Sequence, residues 1–198
     1  MYRYFSYLFL GITTLVFFPH ETGVCQDSSA KDSHESSWKL YALPERVAAM
    51  SFPSKPKTQV NSVTIPDLGD IVTSEMVVID PERTSVYQLV VVKYPDPSKF
   101  DTTKAMDAIV EKASQRGKVL SKNAFAKQGM KSGVEMLVET EDRFVFRTRI
   151  FIDPSGPHAY TCQLIGSPDF VKSKAADSFL NSFSATPDTD VTVVEPDK

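Results

Sequence analysis

Apolar and polar positions between residues 46 and 165 follow the short period of strands that bury one or both faces. The stretches between several of these segments, such as DPERT after Ile79 and TED after Glu139, hold the residue types that turns favour. The pattern therefore predicts a strand-rich fold. The predicted strands cover residues 46–52, 71–79, 86–94, 118–124, 134–140, 143–152 and 159–165, with a weaker candidate at 60–65.

Two further segments have apolar residues at the spacing of an amphipathic helix. The first is expected to begin after Asp101, whose side chain is a good N-cap, and to end at Gly117. The second is expected to begin after Ser167, with Pro168 in the first helical position, and to carry its apolar stripe as far as Phe183. Because each helix has one apolar stripe, both are expected to cover a sheet.

The first 25 residues differ from the rest of the chain. One cation, Arg3, precedes an uncharged and largely apolar stretch from 4 to 18. That stretch is shorter than the about 20 residues that cross a bilayer, but it suits the apolar region of a signal peptide. Gly23-Val24-Cys25 then indicates cleavage near Cys25-Gln26. We expect residues 1–25 to be a signal peptide and the protein to be exported, with an uncleaved membrane anchor as the alternative.

The cysteine at position 25 also raises the alternative of a lipoprotein, which is cut directly before a cysteine that then carries the lipid. Such sites usually have Gly, Ala or Ser before the cysteine, and here Val24 stands there. We therefore predict no lipid on Cys25. The mature chain would keep one thiol, Cys162, which shares a predicted strand face with Tyr160 and Leu164 and is expected to be buried.

Composition sets the limits of the folded part. Residues 26–37 contain no apolar residue larger than alanine and are predicted to be a disordered linker, and residues 184–198 a disordered acidic tail. One domain over 38–183 remains, in a chain of 198 residues that is 41% hydrophobic and 24% charged. The formal charge of −3 argues against nucleic-acid binding, which favours a positive surplus.

The sequence of the domain contains no recognisable catalytic or metal-binding motif. Its one histidine is His158, and neither Cys-x-x-Cys nor His-x-x-x-His spacing nor a Gly-x-Ser-x-Gly elbow occurs. Residues 129–133 resemble a phosphate loop only superficially and are expected to form a turn. We therefore predict no catalytic residue, no metal ligand and no cofactor.

Three arginines, Arg143, Arg147 and Arg149, are predicted on one face of a strand. A three-residue turn at 140–142 would place Glu139 opposite Arg143 and Glu135 opposite Arg147. The same register leaves Arg149 with no acid opposite it. Arg149 is therefore the one residue that we predict as a contact for an anionic ligand.

Six stretches follow one another in an order that resembles exported bacterial proteins with the PsbP-like α/β-sandwich, to which DcrB-like lipoproteins are also similar. They are MSFPSKPK (50–57), YQLVVVKYP (87–95), AKQGMKSGVEM (126–136), FRTRIFI (146–152), AYTCQLIG (159–166) and FLNSF (179–183). The resemblance implies an α+β fold, in which an antiparallel sheet of about six to eight strands is flanked by two main helices. It implies no catalytic residue, because the members are binding, accessory or uncharacterised proteins.

These observations predict an exported, non-catalytic binding or accessory domain in the periplasm or outside the cell. Its partner would be a protein or small molecule of the cell envelope, and no transmembrane domain would remain after signal removal. One alternative is a hydrolase-like enzyme whose acids and arginines meet only in the fold. A pocket with paired acids of perturbed ionisation would favour that alternative. The other alternative is a membrane-tethered envelope lipoprotein.

Overall fold

The structure is a computed structural model that describes residues 38–65, 69–95, 101–127, 129–130, 132–153, 156–185 and 191–196. The predictions for residues 1–25, with Cys25, and for the linker at 26–37 lie outside the described residues. The strands are β1 (Lys39–Ala42), β2 (Ala49–Phe52), β3 (Lys57–Ile65), β4 (Gly69–Asp80), β5 (Ser85–Lys93), β6 (Lys118–Phe125), β7 (Ser132–Glu139), β8 (Val145–Ile152), β9 (His158–Gly166) and β10 (Thr192–Val193). The helices are α1 (Thr102–Ser114), α2 (Pro168–Val171) and α3 (Lys174–Asn181), and a short 3-10 helix spans Pro44–Arg46.

Seven strands form one antiparallel sheet in the order β3-β4-β5-β9-β8-β7-β6. The other three form a small sheet in the order β10-β1-β2, in which β10 runs parallel to β1. All eight predicted strand segments are present, and β1 and β10 are additional. The predicted α+β class with a large antiparallel sheet and few helices is confirmed.

The large sheet is the middle layer of the molecule. On one face, α1 buries Ile109 and Val110 in a cluster that includes Val90 of β5 and Ile150 of β8. On the other face lie α2, α3 and the small sheet, whose aromatic side chains meet around Phe179. Strand β5 is buried on both faces, which explains why its sequence is a nearly continuous apolar run rather than an alternating one.

The helix caps follow the prediction in part. The carboxylate of Asp101 accepts hydrogen bonds from the backbone N–H groups of Thr103 and Lys104, and this confirms the predicted N-cap of α1. Ser167 caps α2 as predicted. The second helix is nevertheless divided, because the hydroxyl of Ser173 accepts from the N–H of Ala176 and starts α3 as a separate helix.

The prediction of a disordered tail over 184–198 is wrong for residues 184–185 and 191–196, and the rest of that range lies outside the described residues. Ser184 and Ala49 exchange two backbone hydrogen bonds of 2.8 and 2.9 Å. Thr192 and Val193 pair with β1, and Val194 is 3% exposed in the core. The strand was missed because the acidic composition of the segment predicted disorder. The acids flank a short apolar stretch, and its last valine is buried.

The register between β7 and β8 also differs from the prediction. Glu139 lies opposite Val145 rather than Arg143, and Glu135 lies opposite Arg149 rather than Arg147. The turn holds residues 140–144 instead of 140–142, and Arg143 adopts a positive φ of 62° within it. A shift by two residues leaves each side chain on its predicted face, so the apolar pattern could not distinguish the two registers.

Candidate functional site

A connected row of polar side chains crosses the face of the large sheet that α1 covers. Gln88 Nε2 donates a hydrogen bond to Glu75 Oε1, and Gln163 Nε2 donates to Gln88 Oε1 at 2.7 Å. Thr148 Oγ1 donates to Gln163 Oε1 at 3.2 Å. All four side chains are buried, so the row replaces water as the hydrogen-bonding partner of each group.

The row ends at a cation that follows α1. Arg116 Nη1 donates to Gln163 Oε1 at 2.8 Å, and its guanidinium carbon lies 5.2 Å from the ring centre of Phe146. Each glutamine side chain therefore donates a hydrogen bond in the direction of Glu75 and accepts one from the direction of Arg116. The two amide dipoles are aligned between opposite charges across β4, β5 and β9, which stabilises both charges.

Burial affects the ionisation of both charged ends of this row. Burial raises the pKa of Glu75, and the hydrogen bond from Gln88 opposes this shift. Burial also lowers the pKa of Arg116. A carboxyl group of raised pKa is typical of general acids. Here, however, it is 5% exposed and holds an amide of its own sheet.

A small cleft lies between the end of α1 and the sheet beside this row. Its volume is about 20 Å³, which is room for about one water molecule. The cleft is therefore far smaller than a site for an organic substrate. Its lining consists of Ile109, Lys112, Ala113, Arg116, Thr148, Ile150, Thr161 and Gln163.

The opposite face of the sheet carries a cluster of two arginines that share one acid, Glu135. Arg147 Nη2 lies 3.2 Å from Glu135 Oε1, and Arg147 Nη1 lies 2.7 Å from Asp177 Oδ1. Arg149 Nε donates to Glu135 Oε2, and Arg149 Nη1 donates to Asn181 Oδ1 at 2.7 Å. Because Asp177 and Asn181 belong to α3, the arginines join β7 and β8 to that helix.

The premise for Arg149 as an anion contact is wrong. Arg149 has an acid directly opposite it, Glu135, and is 5% exposed. Its guanidinium carbon also lies 4.2 Å from the ring centre of Phe125. This guanidinium holds the protein's own groups, so the geometry gives no support for binding of an external anion.

Sequence reasoning identified part of this cluster. It predicted the contact between Glu135 and Arg147, which the structure contains as a diagonal pair rather than a directly opposite one. It missed Asp177 and Asn181, because their positions depend on how α3 packs on the sheet. The spacing of these two residues, four positions apart on one helix face, was the only signal in the sequence.

The remaining candidates for nucleophilic chemistry are separated along β9. Cys162 is fully buried, as predicted, and burial raises the pKa of its thiol well above the ordinary range. His158 is the first residue of β9, and its side chain is 17% exposed and lies beside Asp153. Residues four positions apart in a strand are about 13 Å apart, so His158 cannot accept the thiol proton directly.

Within the described residues, no three side chains of His, Cys, Asp or Glu lie close enough together to hold a metal ion. None of the helices in the described part of the chain is long and apolar enough to cross a membrane.

The fold and these clusters define a class: an α+β protein with a central antiparallel sheet, in which buried charged groups connect the layers. No family model matches the sequence, and no curated protein sequence matches it either. Among solved structures, the chain is similar to cyanobacterial PsbP (CyanoP) from Synechocystis sp. PCC 6803, determined in solution. The identity is 13% over 82% of this chain and 98% of that chain, with a TM-score of 0.45.

Proposed function

We propose that this protein is an exported, non-catalytic binding or accessory domain. The observation that carries the proposal is the use of its buried polar groups. Glu75, Arg116, Glu135, Arg147 and Arg149 contact one another or neighbouring layers through the hydrogen bonds and ion pairs given above. Groups held in this way stabilise a rigid scaffold, whereas a catalytic group needs an acceptor or donor site turned toward a substrate.

The hydrolase-like alternative depends on Glu75, whose raised pKa is the property that an acid catalyst needs. Two observations weigh against it. Glu75 is almost fully buried and accepts a hydrogen bond from the sheet's own Gln88, and it does not line the cleft beside Gln163, which has room for about one water molecule. The structure therefore favours a stabilising role for this carboxyl group.

Export is the part of the proposal that rests on the N-terminal sequence. We expect the mature chain to begin near Gln26 and to carry no lipid, because the apolar stretch has signal-peptide length and Val24 occupies the position of a small residue. N-terminal sequencing and mass spectrometry of the exported form check this. An acylated Cys25 would establish the lipoprotein alternative, and an intact Met1 would establish the retained anchor.

A binding experiment tests the main proposal. The immobilised protein is incubated with envelope extract, captured molecules are identified, and each is then titrated in purified form against the protein by calorimetry. Saturable binding with a fixed stoichiometry is the expected result. The proposal would be overturned by turnover of ester, phosphate or glycoside substrates that Glu75→Gln abolishes while Glu111→Gln, on the exposed side of α1, leaves it unchanged.

A further inference from the structure

The two edges of the large sheet differ in how they are protected from pairing with another strand. The edge strand β6 has an irregularity between Val119 and Ser121 and carries Lys118 and Lys122. Bulges and lysines are devices that prevent edge-to-edge association. The opposite edge, β3, has no bulge, because its nine residues pair with β4 without interruption, and its one charged residue, Lys57, stands at the first position.

Strand β3 is also largely exposed. Only Thr58 and Ile65 of its nine residues are buried. Among the described residues, no strand other than β4 pairs with it. An edge strand without a bulge, and with a single lysine at its end, is suited to accept another strand.

We propose that β3 pairs antiparallel with β3 of a second copy of this chain, about a two-fold axis at Asn61. This register is the one that pairs all nine residues, since Asn61 is the central residue of the strand. Two seven-stranded sheets would then form one continuous sheet. The resulting cross-strand pairs are Lys57–Ile65, Thr58–Thr64, Gln59–Val63, Val60–Ser62 and Asn61–Asn61.

The side chains of β3 favour a second copy as the occupant. Self-pairing about Asn61 places no like charges opposite each other, because Lys57 faces Ile65. Thr58 faces Thr64 of the second copy, which places two uncharged β-branched residues opposite each other. The amides of Gln59 and Asn61 lie on one face, where they already form a 3.2 Å hydrogen bond. They would continue as a polar row across the two-fold axis.

The expected strength follows from the size of the contact. Every second residue of an edge strand directs its N–H and C=O groups outward, so nine paired residues supply about eight to ten backbone hydrogen bonds. A typical interface has about ten hydrogen bonds, but here a single strand adds little buried side-chain area. We therefore expect a dimer that forms at high micromolar concentration. This inference is independent of any envelope partner.

Because Asn61 lies on the proposed two-fold axis and is exposed in the monomer, the proposal can be tested by introducing charges at this position. Sedimentation equilibrium at low salt, from 10 µM to 1 mM of the chain expressed from its whole sequence, measures the dimer dissociation constant. Asn61→Lys and Asn61→Asp each place two like charges on the axis, and each should weaken dimerisation about two- to fivefold. An equimolar mixture should form a heterodimer about tenfold tighter than either variant alone.

The matched control is Asn123→Lys, the same substitution on the exposed part of the opposite edge strand β6, which should leave the dissociation constant unchanged. Circular dichroism and urea unfolding establish that all variants fold. A wild-type chain that stays monomeric at 1 mM overturns the proposal. So does a dimer that neither Asn61 variant weakens, or one that Asn123→Lys weakens equally, since the contact would then lie elsewhere.

Discussion

Glu135 compensates the charges of two neighbouring arginines. Its two carboxylate oxygens contact Arg147 and Arg149, and all three side chains are at most 18% exposed. Removal of such an acid leaves two guanidinium groups in a poorly hydrated environment, and this costs more free energy than the ion pair itself contributes. The loss of stability on removing Glu135 therefore comes mainly from the two arginines that are left without their acid.

We predict that Glu135→Ala lowers the free energy of unfolding by about 3 kcal/mol. The matched control is Glu139→Ala on the same strand, opposite Val145, which is expected to change stability by about 0.5 kcal/mol or less. Urea denaturation of both variants gives the comparison. Equal losses would contradict the observed register and favour the alternative in which Glu139 pairs with Arg143.

Glu75 makes stability depend on pH with a defined sign. Burial raises the pKa of Glu75 above its ordinary value of 4.5. Between that pH and the raised pKa, the folded state holds a proton that the unfolded state has released. The free energy of unfolding therefore falls as pH rises through this window.

We predict that Glu75→Gln, which cannot titrate, loses this part of the pH dependence. Urea unfolding between pH 4 and 8 should show the stability of the wild type falling relative to the variant as pH rises above 4.5. Glu111→Gln, at an exposed position of α1, is the control and should follow the wild type. A constant difference between wild type and Glu75→Gln across this range would disprove the assignment.

At the scale of elements, the sequence predicted the positions of strands better than their partners. Strands β2 to β9 each overlap a predicted segment, because alternation depends only on which face is buried. The predicted register of β7 on β8 was wrong. A turn of five residues and a turn of three residues bury the same faces of both strands, so the apolar pattern does not distinguish them. The contacts of α3 with Arg147 and Arg149 were missed for a related reason, since packing between distant segments leaves no local pattern.

The division between α2 and α3 depends on one hydroxyl. We predict that Ser173→Ala lowers the free energy of unfolding by about 1 kcal/mol, because the N–H of Ala176 loses its acceptor at the start of α3. Ser178→Ala, at an exposed position inside the same helix, should change stability by about 0.5 kcal/mol or less. Thermal and urea unfolding provide the measurement, and an unchanged Ser173→Ala would show that packing alone divides the helices.

The large sheet lies at the centre of the molecule. The layer on the face opposite α1 includes β1 and β10, which come from the two ends of the described chain. Composition suggested an acidic, disordered end, yet Val194 lies in the same cluster as Tyr41 and Phe52 of the small sheet. A strand of two residues is too short to show a period of its own in the sequence, and it is stabilised by the surface on which it packs.

We predict that Val194→Asp lowers the free energy of unfolding by about 3 kcal/mol, because it buries a carboxylate with no partner. Thr192→Asp introduces the same residue at an exposed position of β10 and should cost about 1 kcal/mol or less. Urea unfolding distinguishes them. Equal stability of Val194→Asp and the wild type would show that the tail does not contribute to the core.

The parallel pairing of β10 with β1 has a consequence for the order of events during folding. Tyr41 lies opposite Thr192, so this contact closes nearly the whole described chain into a loop and is expected to form late. A chain that is still being synthesised would lack the contact of Val194 with the core until residue 194 has been made. In pulsed hydrogen exchange during refolding, the amide of Val194, which donates to Ala42 O at 3.0 Å, should become protected after those of β5 and β9, and simultaneous protection would contradict this order.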